Sequence, residues 1–115
     1  MKTHIILIPK LNQEITFIIG SNAQDNVNII QAADPNDIWF HIADYPSAHI
    51  IAHLPYKLNK KSLIPIIKQG AVLCKQVSKY ANQKNLSITY TPVSNINLTD
   101  ILGTVNLTIS KNIII

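Results

Sequence analysis

Residues 36–54, NDIWFHIADYPSAHIIAHL, carry three of the four histidines and the only tryptophan of the chain. Imidazoles at positions 41, 49 and 53 open three chemistries: metal ligation, proton transfer and recognition of another molecule. Three nitrogens with an open fourth position are what catalytic zinc requires. His49 and His53 on an extended strand, however, stand about 13 Å apart along the chain, too far for one ion. With no HExxH and no cysteine pair, neither a metal nor another cofactor is expected. Proton transfer would set His41 and His49 beside Asp37 or Asp44, because imidazole titrates near neutrality. The sequence gives that pair no nucleophile in a recognisable setting: there is no Gly-x-Ser-x-Gly and no activated cysteine. An enzyme is therefore not expected. Recognition asks least of the residues, since Trp, His and Tyr offer π faces for base stacking and ring N–H groups for phosphates or base edges. For any one residue alone the plainer alternative stands: Trp39 as core, and the histidines as hydrogen-bonding ties for loops.

Positioning these side chains falls to a few elements. Ile5–Ile8 and Ile15–Ile19 read as strands of a hairpin turning at Asn12-Gln13, and Gly20 ends the second. Ser21-x-x-Gln24 resembles a capping box, with Ala23, Val27 and Ile30 at helical spacing behind it, so a short helix is expected near 22–32. Strands at 38–42 and 48–54 flank a five-residue loop with Pro46. Strand parity puts Trp39 and His41 on one face, and His49, Ile51 and His53 on one face of the next strand. A hairpin closing around Tyr45 sets His41 opposite His49. A long helix is expected from an N-cap at Ser62 to about Asn82, with Pro65 in its first turn. Strands at 87–94, 103–109 and 112–115 complete one α+β domain over residues 1–115, a mostly antiparallel sheet with one short and one long helix.

Charge is unevenly spread. Residues 1–44 hold five acids against Lys2 and Lys10, whereas 45–99 hold seven lysines and no acid. A span that cannot neutralise its own lysines favours polyanions. At 100° per residue, Lys68, Lys75 and Lys79 of the long helix fall within about 40° of one another as a ridge, with Lys61 at the helix entrance. Cys74 joins the apolar arc of the same helix and is read as an inert buried thiol. A lone cysteine implies no disulfide, and the apolar run at 4–8 is too short for a signal core or a membrane span, so the cytosol is expected.

Asp37-Ile38-Trp39-Phe40-His41, a short loop with proline, and Ser47-Ala48-His49 together resemble the signature of the NFACT-R family, the RNA-binding domain of ribosome-associated quality-control factors. Gly20-Ser21-Asn22 with Asn26 resembles that family's Gly-basic-Asn…Asn segment, and Tyr90-Thr91-Pro92-x-Ser94-Asn95 its Tyr-Thr motif. Gly103-x-Val105 followed by Lys111 resembles its closing hairpin. The form of these motifs is nearest the eukaryotic stand-alone members, without their coiled coil. Ser21 stands where the family has a basic residue, Asn97-Leu98 where lysines are common, and arginine is absent. Those departures leave the anion site weakened or moved to the helix ridge. The resemblance implies a module that binds nucleic acid without catalysing a reaction: structured RNA such as tRNA or rRNA, in translation or ribosome quality control. Its surface would comprise Asn22, Asn26, Trp39, His41, His49, Tyr90 and Asn95, with Lys61, Lys68, Lys75 and Lys79 as backbone clamp. DNA, the ribosome or other protein subunits are the further partners implied, and no membrane. The rival reading is a scaffold domain that kept the fold and lost the RNA site.

Overall fold

The computed structural model describes residues 1–115. Strands β1 (Lys2–Ile8) and β2 (Gln13–Ile19) form the first hairpin. A 3-10 turn at Pro9–Leu11 joins them, and Asn12 takes a left-handed conformation that asparagine tolerates. Helix α1 (Ala23–Ala32), strands β3 (Ile38–Ile42) and β4 (Ile50–His53) and helix α2 (Lys60–Gln76) follow. Strand β5 (Ser87–Pro92), a short hairpin β6 (Ile96–Leu98) and β7 (Val105–Leu107), and strand β8 (Lys111–Ile114) close the chain. Six strands make one antiparallel sheet in the order β1-β2-β4-β3-β5-β8, and β6-β7 form a second small sheet.

Alternation along β3 divides the molecule. Ile38, Phe40 and Ile42 point to the face covered by α2, joining Phe17, Ile50, Ile66, Leu73 and Ile88 in the main core. Trp39 points the other way, into a second cluster with Ile29 and Ile30 of α1 and Ile51 of β4. Val93, Ile96, Val105 and Leu107, from the β6–β7 region, pack on that cluster. The sheet is thus covered on one face by α2, and on the other by α1 and the small hairpin.

Helix α2 approaches the sheet closely at Gly70, where a Cβ would stand 2.2 Å from Cζ of the fully buried Phe40. Gly70→Ala is therefore expected to destabilise the domain by about 2 kcal/mol, overpacking outweighing alanine's advantage of about 1 kcal/mol in helix propensity. Urea unfolding of the two proteins measures the difference, and equal or higher stability in the variant would show that Phe40 can move aside.

Several boundaries differ from the sequence expectation. The cap of α1 is Asn22, not Ser21: Asn22 Oδ1 accepts from Asp25 N–H at 2.9 Å, and Asp25 Oδ2 accepts from Ser21 N–H at 3.1 Å. Helix α2 begins earlier, because Asn59 Oδ1 accepts from Ser62 N–H at 2.8 Å. Pro65 therefore lies inside the helix, which forgoes the hydrogen bond to the Lys61 carbonyl. It also ends earlier, at Gln76: Ser78 Oγ donates to the Lys75 carbonyl at 2.7 Å, and residues 77–82 leave as turns. Strand β4 is shorter than 48–54, and β6 was not anticipated.

Candidate nucleic-acid interface

The β3–β4 register pairs Ile38 with Ala52, Trp39 with Ile51 and Phe40 with Ile50, so the next opposed positions are 41 and 49. Regular pairing stops there, but the two imidazoles stay together, 5.0 Å between centroids and edge to face. His41 lies flat on Trp39, centroids 5.6 Å apart and planes 5° from parallel. Trp39 is only 3% exposed, so its face is not free to stack on a base, and in this respect it differs from the sequence reading. Its role is to fix His49: the indole Nε1–H donates to His49 Nδ1 at 3.1 Å. An Nδ1 that accepts cannot carry the proton, so the neutral ring holds its hydrogen on Nε2. Burial pushes the His49 pKa down to about 4, and the neighbouring His41 opposes charge there as well. Burial also lowers His41, partly offset by a hydrogen bond with the Ile42 backbone. Both shifts favour the neutral ring at pH 7.

These rings form the floor of a cleft of about 920 Å³. One wall is Gly20 through Asn26, entering α1; another is the loop from Ala43 to Ala48; the third is Leu102 to Val105 in the β6–β7 loop. Gly20 is buried, and a Cβ there would stand 2.1 Å from Asn26 Oδ1. The missing side chain lets Asn26 reach across and accept from the His49 backbone N–H at 3.4 Å, while Gly20 N–H donates to the His49 carbonyl at 2.9 Å. Only Lys2 and Asp44 bring formal charge to the lining.

Asn22, Asn26, Trp39, His41 and His49 thus line one cleft. The other expected site residues do not join them. Tyr90 pairs with Phe40 and packs on the α2 face. Asn95 donates to Thr91 Oγ1 at 3.1 Å, and its carbonyl accepts from Thr108 N–H, which ties down the small hairpin. The lysine ridge is not continuous either: Lys75 Nζ donates to the Ile115 carbonyl at 3.0 Å, and Lys79 lies beyond the end of α2. Lys61 and Lys68 are exposed on α2, across the sheet from the histidines. Lys79 is nearer, its Nζ 5.5 Å from the Tyr80 ring, which stacks at 4.7 Å on Tyr45 of the cleft-lining loop. Lys2 was not foreseen at the cleft; extending the first hairpin to seven pairs would have set it opposite Ile19, beside Gly20.

Of the two carboxylates expected near the histidines, Asp44 lines the cleft with them and Asp37 serves elsewhere. Asp37, 1% exposed, accepts through Oδ1 from Leu54 N–H at 3.0 Å, and through Oδ2 from Asp34 N–H at 3.0 Å and His53 Nδ1 at 3.1 Å. Ligand atoms of Asp34, Asp37 and His53 lie within 4.8 Å of one another, the one such grouping in the chain. Both Asp37 oxygens are already engaged with backbone N–H groups, so the grouping works as a staple between the 34–37 turn and β4. Cys74 is buried, its thiol pushed up to about 12 by burial and partly eased by the Ile42 backbone, which leaves it no nucleophile. No helix is long and apolar enough to cross a membrane.

Comparison with known proteins agrees with this architecture. Coiled-coil domain-containing protein 25 of Danio rerio is 30% identical over 89 residues, covering 73% of this chain and 42% of that protein. The Bos taurus protein of the same name is 33% identical over 87 residues, covering 73% of this chain and 41% of its own length. The chain spans less than half the length of these relatives. The solved C-terminal part of the fibronectin/fibrinogen-binding protein from Streptococcus suis matches the whole fold with a TM-score of 0.81, at 16% identity and over 45% of that chain. The model of the NFACT protein RNA binding domain matches residues 6–108, and the chain belongs to that family.

Proposed function

We propose that this chain is a non-enzymatic module that binds structured RNA, tRNA or rRNA, in the cytosol and in the setting of translation or ribosome quality control. The observation that carries the reading is the cleft itself, where two histidines and two asparagines converge around a buried tryptophan. The family description as an RNA-binding domain supports it, as does the acid-free, lysine-rich span at 45–99. Phosphates would be met first by Lys2 on the cleft and by Lys79 beside its rim. A second reading, protein docking, is favoured by the edge strand β1, where Ile5 is 63% and Leu7 53% exposed.

Salt dependence separates the two. Each lysine that neutralises a phosphate of single-stranded RNA adds about 0.7 to the slope of log affinity against log salt. Lys2→Gln with Lys79→Gln is expected to remove about 1.4 from that slope. Lys61→Gln with Lys68→Gln, across the sheet, is expected to remove less than half as much. Equal losses would move the RNA track to α2, and no binding at low salt would favour docking through β1. Duplex DNA of matched length, titrated in parallel, tests the preference for RNA.

A further inference from the structure

We infer that the cleft takes the acceptor edge of one unpaired, uncharged nucleobase, with guanine or cytosine preferred to adenine, and that phosphates stay at its rim. The inference rests on the nucleic-acid reading above and names what enters the site. Two polar groups on the cleft floor are unspent within the chain. His49 is 4% exposed, its Nδ1 is committed to the Trp39 indole, and its Nε2–H meets no protein acceptor. Asn26 is 9% exposed; its Oδ1 serves the His49 backbone, and its Nδ2 meets no protein acceptor. No fully buried side-chain nitrogen or oxygen lacks a partner, so both donors open onto the cleft. The Asn26–His49 hydrogen bond holds them side by side.

Two fixed, neutral donors ask for two acceptors. Guanine presents N7 with O6, and cytosine N3 with O2; adenine pairs each ring acceptor beside its amino group with a donor, which would confront one of these N–H groups. A phosphate would find little here that it needs. The lining charges, Lys2 and Asp44, oppose each other. The N–H groups at the entrance to α1 are partly spent, Ser21 N–H on the Asp25 carboxylate and Asp25 N–H on Asn22 Oδ1. His49 stays neutral because protonating Nδ1 would set it against the indole N–H. Trp39 is a positioning residue in this scheme, acting through the tautomer of His49.

The test uses the full chain, with nitrogen-15 labelling, at neutral pH. Short oligocytidylate, oligoadenylate, an abasic strand of equal length and inorganic phosphate are titrated while His49 ring nitrogens and the Asn26 amide are followed. Oligocytidylate is expected to shift both signals and to bind about tenfold more tightly than oligoadenylate, the worth of one or two neutral hydrogen bonds. The abasic strand and phosphate are expected to leave both signals in place. His49→Asn keeps an acceptor for the indole but loses the donor, and should remove the tenfold preference; His49→Gln, whose amide reaches the Nε2 position, should restore most of it. Trp39→Phe should yield a mixed His49 tautomer in the nitrogen spectrum and a reduced preference. Equal shifts with phosphate or the abasic strand would make the cleft an anion site and overturn the inference. RNA that binds without moving His49 and Asn26, or with no cytosine preference, would overturn it while leaving the nucleic-acid reading intact. Failure of every strand and of folded RNA to bind at low salt would remove both.

Discussion

Lowering the pH from about 7 to about 4 is expected to cost the domain about 3 kcal/mol through His49, and His49→Asn is expected to be spared that loss. The folded ring has its pKa pushed from the ordinary 6.5 down to about 4, by burial first and by His41 second. Between those values the unfolded chain holds a proton that the folded chain refuses. Stability therefore rises with pH across this window: it is complete above about 6.5 and lost as pH falls toward 4. His41, also lowered by burial, adds a loss of the same sign. Asparagine at 49 retains an acceptor for the indole and cannot titrate. Thermal unfolding of parent and variant at several pH values isolates His49, since other titrating groups are common to both. The difference between them should grow by on the order of 10 °C across the window. Parallel curves would mean that water reaches the ring and that the neutral tautomer is not enforced.

The pairing behind that prediction was legible because strand parity is unforgiving. A five-residue loop with Pro46 fixes which residues oppose each other, and a one-residue slip would have put Ile38, Phe40 and Ile42 on the wrong face. What the indole does was not legible: the same parity serves a stacking platform and a buried anchor, and only α1 and the β6–β7 hairpin lying over Trp39 decide between them. The lysine ridge failed for two reasons. Val77, Tyr80 and Ala81 continue the helical spacing of α2 and no glycine or proline interrupts them, yet Ser78 captures the Lys75 carbonyl and Tyr80 turns away to stack on Tyr45. Periodicity also relates residues within a helix, without saying which face of a sheet that helix will cover. Strand β6 was missed because Ile96-Asn97-Leu98 is too short to show alternation against its asparagine-rich surroundings. In the sequence Asp37 reads as a motif residue and as a carboxylate for the histidine pair, since its backbone partners, Leu54 and Asp34, are contributed by the fold.

Asp37→Ala is expected to cost about 4 kcal/mol of stability while leaving the affinity of the folded protein for RNA nearly unchanged. The largest share comes from Leu54 N–H, which loses its only acceptor in a buried position, a penalty of about 2 kcal/mol. Asp34 N–H loses its acceptor too, but Asp34 is exposed and water can replace it at a smaller cost. The space left by a side chain 1% exposed, together with the lost contact to half-exposed His53, accounts for the remainder. Asp37→Asn should fall between parent and alanine variant: one oxygen survives, and the amide nitrogen must confront one of the two backbone donors. Affinity should hold because the Asp37 carbonyl still accepts from Val93 N–H at 2.8 Å, keeping the lead into β6 on β3, and because the cleft is lined without Asp37. Chemical denaturation gives the first quantity, and RNA titration under fully folding conditions the second. A drop below about 1 kcal/mol would show that solvent already satisfies Leu54 N–H, so that packing and not this carboxylate holds β4 to the turn. A large loss of affinity in the folded variant would make Asp37 part of the binding surface, and would extend that surface along the hairpin from His49 toward His53.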